Sequence, residues 1–125
     1  KEENAREVMK AQDLVLYQRL VRAMPVGEKV LDAILNLVRS ARPEGNTSKE
    51  VREHVAWGPG PRASQAFSLA VRARALVEGR FSPSVDDVVA LAPPILRHRM
   101  ALTFAARADG VTMQDVIERL CKPLN

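Results

Sequence analysis

Between Gln12 and the end of the chain, apolar residues recur at three- and four-residue spacing in short runs, and proline or glycine separates each run from the next. Leu14, Tyr17, Leu20, Val21 and Met24 form one face of a helix from about Gln12 to Ala23, which Pro25 ends. Leu31, Ile34, Leu35 and Val38 mark a second helix from about Glu28 to Ala41, closed by Pro43 and Gly45. A third runs from Pro61 to about Glu78 on Ala66, Leu69, Ala70, Ala73, Leu76 and Val77, with Gly79 where a C-terminal glycine is expected. Arg72 and Arg74 lie off that stripe and are assigned to solvent. The pattern predicts a mainly α chain, a small bundle of about four to five helices.

Two further helix starts are written in capping chemistry. Ser84 and Asp87 occupy reciprocal capping positions ahead of Val85, Val88, Val89 and Ala92, and Pro93-Pro94 is expected to break or kink that helix before Ile95. Thr112 and Asp115 repeat the arrangement ahead of Met113, Val116, Ile117 and Leu120. The adjacent Asp86 and Asp87 read as N-terminal charges favoured by the helix dipole, not as an acid–base pair. Residues 43–50 read as a polar loop. Val51 to Trp57 is either a short strand or an irregular turn, with Trp57 packed inside, and a weak alternation over Arg99–Thr103 offers a partner for a short two-stranded β element.

With 125 residues, 46% apolar and 27% charged, the chain has the size and balance of one globular domain that needs no covalent staple. Cys121 is the only cysteine, so no internal disulfide is possible, and it is expected to pack. That usage, no apolar run of membrane-spanning length, and the polar start Lys1–Arg6 point to a cytoplasmic protein off the membrane. His54 and His98 are too scattered to suggest a zinc site. A net charge of +4 calls for an acidic partner, whether nucleic acid, a phosphate ligand or an acidic protein face.

The stretch Gly58-Pro-Gly-Pro-Arg62-Ala-Ser64 narrows that choice. Gly60 can cap and Pro61 suits the first helical position, so Arg62 arrives in the first turn of the third helix. A cation is disfavoured there by roughly 0.3–1 kcal/mol, whereas an anion is attracted both to the free amides and to the guanidinium. The corner therefore suits a phosphate.

Four pieces, in order, resemble the C-terminal lid domain of MoxR-type AAA+ ATPases: residues 26–39 (Val-Gly-Glu-Lys-Val-Leu-Asp-Ala-Ile-Leu-Asn-Leu-Val-Arg), Gly58–Ser64, residues 83–93 (Pro-Ser-Val-Asp-Asp-Val-Val-Ala-Leu-Ala-Pro) and residues 95–100 (Ile-Leu-Arg-His-Arg-Met). The resemblance runs from about Asp13 to the end, with residues 1–11 as lead-in from an ATPase core. It implies a small helical lid in which Arg62 is the sensor-two residue reaching the ATP phosphates, with Gly60 and Pro61 shaping the turn. The family usually has Ala-Ser where this chain has Pro59-Gly60, which removes a capping hydroxyl at a cost of a few tenths of a kcal/mol.

No phosphate loop of the Gly-x-x-x-x-Gly-Lys-Ser/Thr type and no magnesium-binding acidic strand end are present, so the chain alone is not an ATPase. The resemblance implies ATP with magnesium held mainly by a missing core domain in cis, a ring-forming homo-oligomer, and chaperone-like remodelling of partners such as von Willebrand factor A domain proteins. It also leaves Arg97, His98 and Arg99 either facing the core or a neighbouring subunit, or forming a solvated cationic turn. Two alternatives stand beside it. One is a free-standing nucleic-acid-binding domain using Arg72, Arg74, Arg97 and Arg99, for which stacking aromatics are scarce. The other is a small protein-interaction adaptor.

Overall fold

The computed structural model describes residues 10–125. In chain order its elements are α1 (Ala11–Ala23), α2 (Glu28–Ser40), α3 (Lys49–His54), β1 (Val55–Trp57), α4 (Arg62–Val77), α5 (Val85–Leu96), β2 (Ala101–Leu102), α6 (Phe104–Ala108) and α7 (Met113–Cys121), followed by a 3-10 turn over Lys122–Leu124. The lead-in assigned to residues 1–11 falls mostly outside the described residues, and Ala11 already belongs to α1. Among the described residues no helix is long and apolar enough to cross a membrane.

Helix α4 is the centre of the bundle. Ala63, Phe67, Val71 and Ala75 recur every fourth residue along one face and have no exposure to water. Against that face pack Ile34, Leu37 and Val38 of α2 and Val88, Ala92 and Leu96 of α5, with Val116, Ile117 and Cys121 of α7 closing the core. Cys121 packs as expected, and burial pushes its thiol pKa up, which keeps it protonated and unreactive. The predicted β element is present: β1 and β2 pair antiparallel, Val55 with Leu102 and Trp57 with Ala101, with an irregularity between the two pairs.

Five helices fall where the apolar spacing puts them, and two short ones do not. Residues 49–54, assigned to a loop and the start of a strand or turn, form α3, because the Ser48 hydroxyl accepts a hydrogen bond from the Val51 amide at 3.2 Å and caps it. Thr103 does the same for α6 through the Ala106 amide at 3.1 Å. Both are too short to show a period.

Pro93 and Pro94 do not break α5, which continues to Leu96. The two lost amides would have served the Val89 and Ala90 carbonyls on a helix side partly open to water, while burial of Ile95 and Leu96 holds the last turn in place.

Trp57 is not packed inside; it is 56% exposed, at the end of a two-stranded sheet. On α1 the predicted face buries only Val21, with Met24 just beyond it, and leaves Leu14 and Leu20 about half exposed. The Tyr17 hydroxyl of α1 donates to the Ala73 carbonyl of α4 at 3.3 Å.

The seam between α4 and α5 holds a charge cluster. Asp87 is fully buried, accepts from Arg80 in a two-pronged pair at 2.7 and 2.8 Å, and also accepts from Arg74. Its Oδ2 takes the Ser84 amide at 2.7 Å as well, so one carboxylate caps α5 and bridges two arginines. Arg74, assigned to solvent from its place off the apolar stripe, is instead turned into this cluster; helical spacing says nothing about a partner thirteen residues away. Glu78 completes the group through both arginines. The Arg80 guanidinium, helped by the Ser84 amide and Arg74, holds the Asp87 carboxyl well below the usual carboxylate range despite burial.

Removing the carboxylate takes the shared buried partner from Arg74 and Arg80, leaving them only the exposed Glu78, and removes a cap from α5. Asp87→Ala is expected to lower stability by about 3 kcal/mol or more, measured by urea unfolding. Because the folded-state pKa of Asp87 is depressed, its contribution is complete above the unfolded-state value of about 3.9 and is lost as pH falls below it. Asp87→Asn should therefore be less stable than the parent near neutral pH and show a shallower acid-unfolding limb, followed by circular dichroism.

Candidate functional site

Arg62 stands at the amino end of α4 on a turn whose shape is set by a glycine, two prolines and a second helix. The chain leaves β1 and passes the C-terminus of α2 so closely that a Cβ on Gly58 would lie 2.4 Å from the Ala41 carbonyl oxygen and 3.0 Å from the Arg42 Cα. Only glycine fits that crossing. Pro59 follows and is fully buried, and its carbonyl accepts from Arg42 Nε at 2.8 Å. Gly60 is in the open, with nothing within 4 Å of where its Cβ would be.

Pro61 already has helical angles (φ −60°, ψ −27°) but stands as the residue before α4, so Arg62 is the first residue of the helix and not the second. The shift is a single position at a helix end, where the Ala63 amide bonds back to the Gly60 carbonyl at 3.1 Å in a tight 3-10 fashion. No side chain caps α4.

The electrostatics of this end differ from those of most other helix starts among the described residues. The first turns of α1, α2, α3, α5 and α7 each carry an acidic residue, as the helix dipole favours, namely Asp13, Glu28, Glu50, Asp86 with Asp87, and Asp115. The first turns of α4 and of the short α6 have none, and α4 begins with Arg62 instead. Arg62 is exposed, and among the described residues it makes no ion pair. The three sequence-predicted residues Gly60, Pro61 and Arg62 thus lie together at one helix end that presents amides and a guanidinium outward. This arrangement can hold an anion with several acceptor oxygens.

The other cations have local duties. Arg97 Nε donates to the Pro93 carbonyl at 3.0 Å and Arg99 Nη1 to the Ile95 carbonyl at 2.9 Å, so both serve carbonyls of α5 near its C-terminus, where the dipole welcomes them. His98 is exposed between them. Arg74 is paired with Asp87, and the Nε of Arg72 is buried without a partner, so the group Arg72, Arg74, Arg97 and Arg99 does not present four free cations for a nucleic-acid backbone. Arg42 and the close crossing at Gly58 also shape this turn, and no sequence motif marks them. Neither has a local signal, because Arg42 is seventeen residues from the carbonyl it holds.

Comparison with known proteins agrees with this architecture. Residues 47–120 match the family described as the AAA lid domain. The chain is similar to a protein of Mycobacterium tuberculosis named Chaperone MoxR1, with 34% identity over 93% of this chain and 31% of that protein. It is also similar to the uncharacterized protein YeaC of Bacillus subtilis, with 27% identity over 94% of this chain and 34% of that protein. The crystal structure of a candidate ATPase from Cytophaga hutchinsonii shares the fold, with a TM-score of 0.84 at 23% identity over 91% of this chain and 35% of that one. The chain therefore spans about a third of the length of each of these proteins.

Substitutions on the two glycines of the turn should separate in magnitude. Gly58→Ala forces the crossing against the α2 backbone apart and is expected to cost about 1–3 kcal/mol in chemical unfolding. Gly60→Ser has room for its side chain, so it should stay within a few tenths of a kcal/mol of the parent.

Proposed function

The chain belongs to the AAA lid domain family, of the MoxR type, and from that premise we propose that it is the C-terminal, sensor-two lid of an AAA+ ATPase, with Arg62 as the residue that reads the terminal phosphates of ATP. The observation that supports this reading is the exposed guanidinium of Arg62, unpaired among the described residues, at a helix end where every electrostatic contribution favours an anion. Gly60 and Pro61 shape the turn and leave space around it.

ATP with magnesium is the ligand, and a core domain in cis holds most of it, since this chain has no phosphate loop or acidic strand end. Bound ATP supplies the negative charge that shifts and leaves on hydrolysis. Arg62 offers a planar set of donors to phosphate oxygens and stabilises that charge where water is excluded. Loss of the terminal phosphate removes the partner of Arg62, and the lid then turns against the core as one body. In a ring-forming homo-oligomer the motion passes to neighbouring subunits, and its output is chaperone-like remodelling of partner proteins, with von Willebrand factor A domain proteins as the client class. The setting that fits such a machine is the cytoplasm.

In the full-length protein, Arg62→Ala is expected to lower ATP turnover at saturating nucleotide by about tenfold or more. The same change removes a cation from the unfavourable end of a helix, so it should raise stability by about 0.3–1 kcal/mol in thermal unfolding. Unchanged turnover would remove Arg62 from the nucleotide site.

A further inference from the structure

The turn that presents Arg62 has little to hold it from within. Pro59 and Pro61 contribute no amide donors, no side chain caps α4, and Gly60 is a free joint with open space around it. What holds it is α2. Gly58 is pressed against the Ala41 carbonyl, Pro59 is buried behind it, and the Pro59 carbonyl is gripped by Arg42 at 2.8 Å in a partly buried, charge-assisted hydrogen bond. Arg42 follows Ala41, the residue that ends α2, and a cation is favoured at that end of a helix. Its backbone is fixed as well, with its amide bonded to the Arg39 carbonyl and its carbonyl to the Gly45 amide.

We propose that Arg42 is the positioning residue of Arg62: by fixing the Pro59 carbonyl it fixes the peptide plane that enters Gly60, and so sets the direction in which α4 starts and Arg62 projects. The inference rests on the reading of Arg62 as the phosphate sensor. Once the Pro59–Gly60 peptide is released, Gly60 lets the turn swing, and a misplacement of about 1 Å at a charge-stabilising group is enough to cost on the order of 100-fold in rate. The lid thus aims its sensor through a bond to α2 in place of a serine cap on α4.

The test uses the full-length protein with Arg42→Met, which keeps the stem and removes the donor, and Arg42→Gln, which keeps a donor nitrogen at the same distance along the side chain. Hydrogen exchange without nucleotide, read at the Ala63 amide that bonds to the Gly60 carbonyl, is expected to quicken about tenfold in Arg42→Met and to return towards the parent in Arg42→Gln. ATP turnover should fall in Arg42→Met, recover in Arg42→Gln, and fall no further when Arg42→Met is added to Arg62→Ala. Parental exchange in Arg42→Met, failure of Arg42→Gln to rescue a changed one, or effects of the two sites that multiply would overturn the proposal. Should Arg62→Ala itself leave turnover unchanged, the sensor reading fails, and the exchange result alone decides whether Arg42 holds the turn.

Discussion

A carboxylate with no access to water, Asp87, sits between two arginines at the seam of α4 and α5, and the rest of the bundle is arranged so that this charge is never left alone. Its burial is tolerable only because Arg80, Arg74 and the Ser84 amide together replace the water it lost. The cluster fixes the rotation and the height of α4 against α5, since Arg74 reaches Asp87 from one face of α4 only. Arg62 lies twelve residues before Arg74 on the same helix, about 18 Å along its axis. A contact that serves stability at one end therefore also sets the placement of the side chain proposed as the sensor at the other.

The amino end of α4 is held by a different device. There a glycine crossing and one arginine hydrogen bond tie the turn to α2, so α4 is clamped near both ends to two different helices. A shaft held in this way moves with its domain and does not swivel within it, which is what a lid needs if a charge change at one residue is to displace the whole body. The unfavourable placement of Arg62 against the helix dipole fits the same logic. Five of the other six helices, all but the five-residue α6, carry an acidic residue in their first turns, and a departure at the start of a long central helix is expected where function sets the residue.

Much of this was legible beforehand. The five longer helices show in apolar spacing, the starts of α5 and α7 in their Ser84–Asp87 and Thr112–Asp115 pairs, and the Arg62 corner in its Pro-Gly punctuation. Hidden features share one physical cause: they depend on residues far apart in the chain or on segments too short to carry a period. The pairing of Arg74 with Asp87 and of Arg42 with Pro59 is tertiary. The helices α3 and α6 are six and five residues long and announce themselves only by the caps Ser48 and Thr103. Trp57 misled because a large aromatic is a good guess for a core, yet it lies exposed at the end of a two-stranded sheet.

The central claim is that the clamped turn aims Arg62 at the phosphates of ATP, and the most direct measurement is a crystal structure of the full-length protein with a non-hydrolysable ATP analogue and magnesium. The account predicts the Arg62 guanidinium within hydrogen-bond distance of a β- or γ-phosphate oxygen, with the Arg42 to Pro59 bond intact. An Arg62 side chain turned to solvent while other cations meet the phosphates would contradict it.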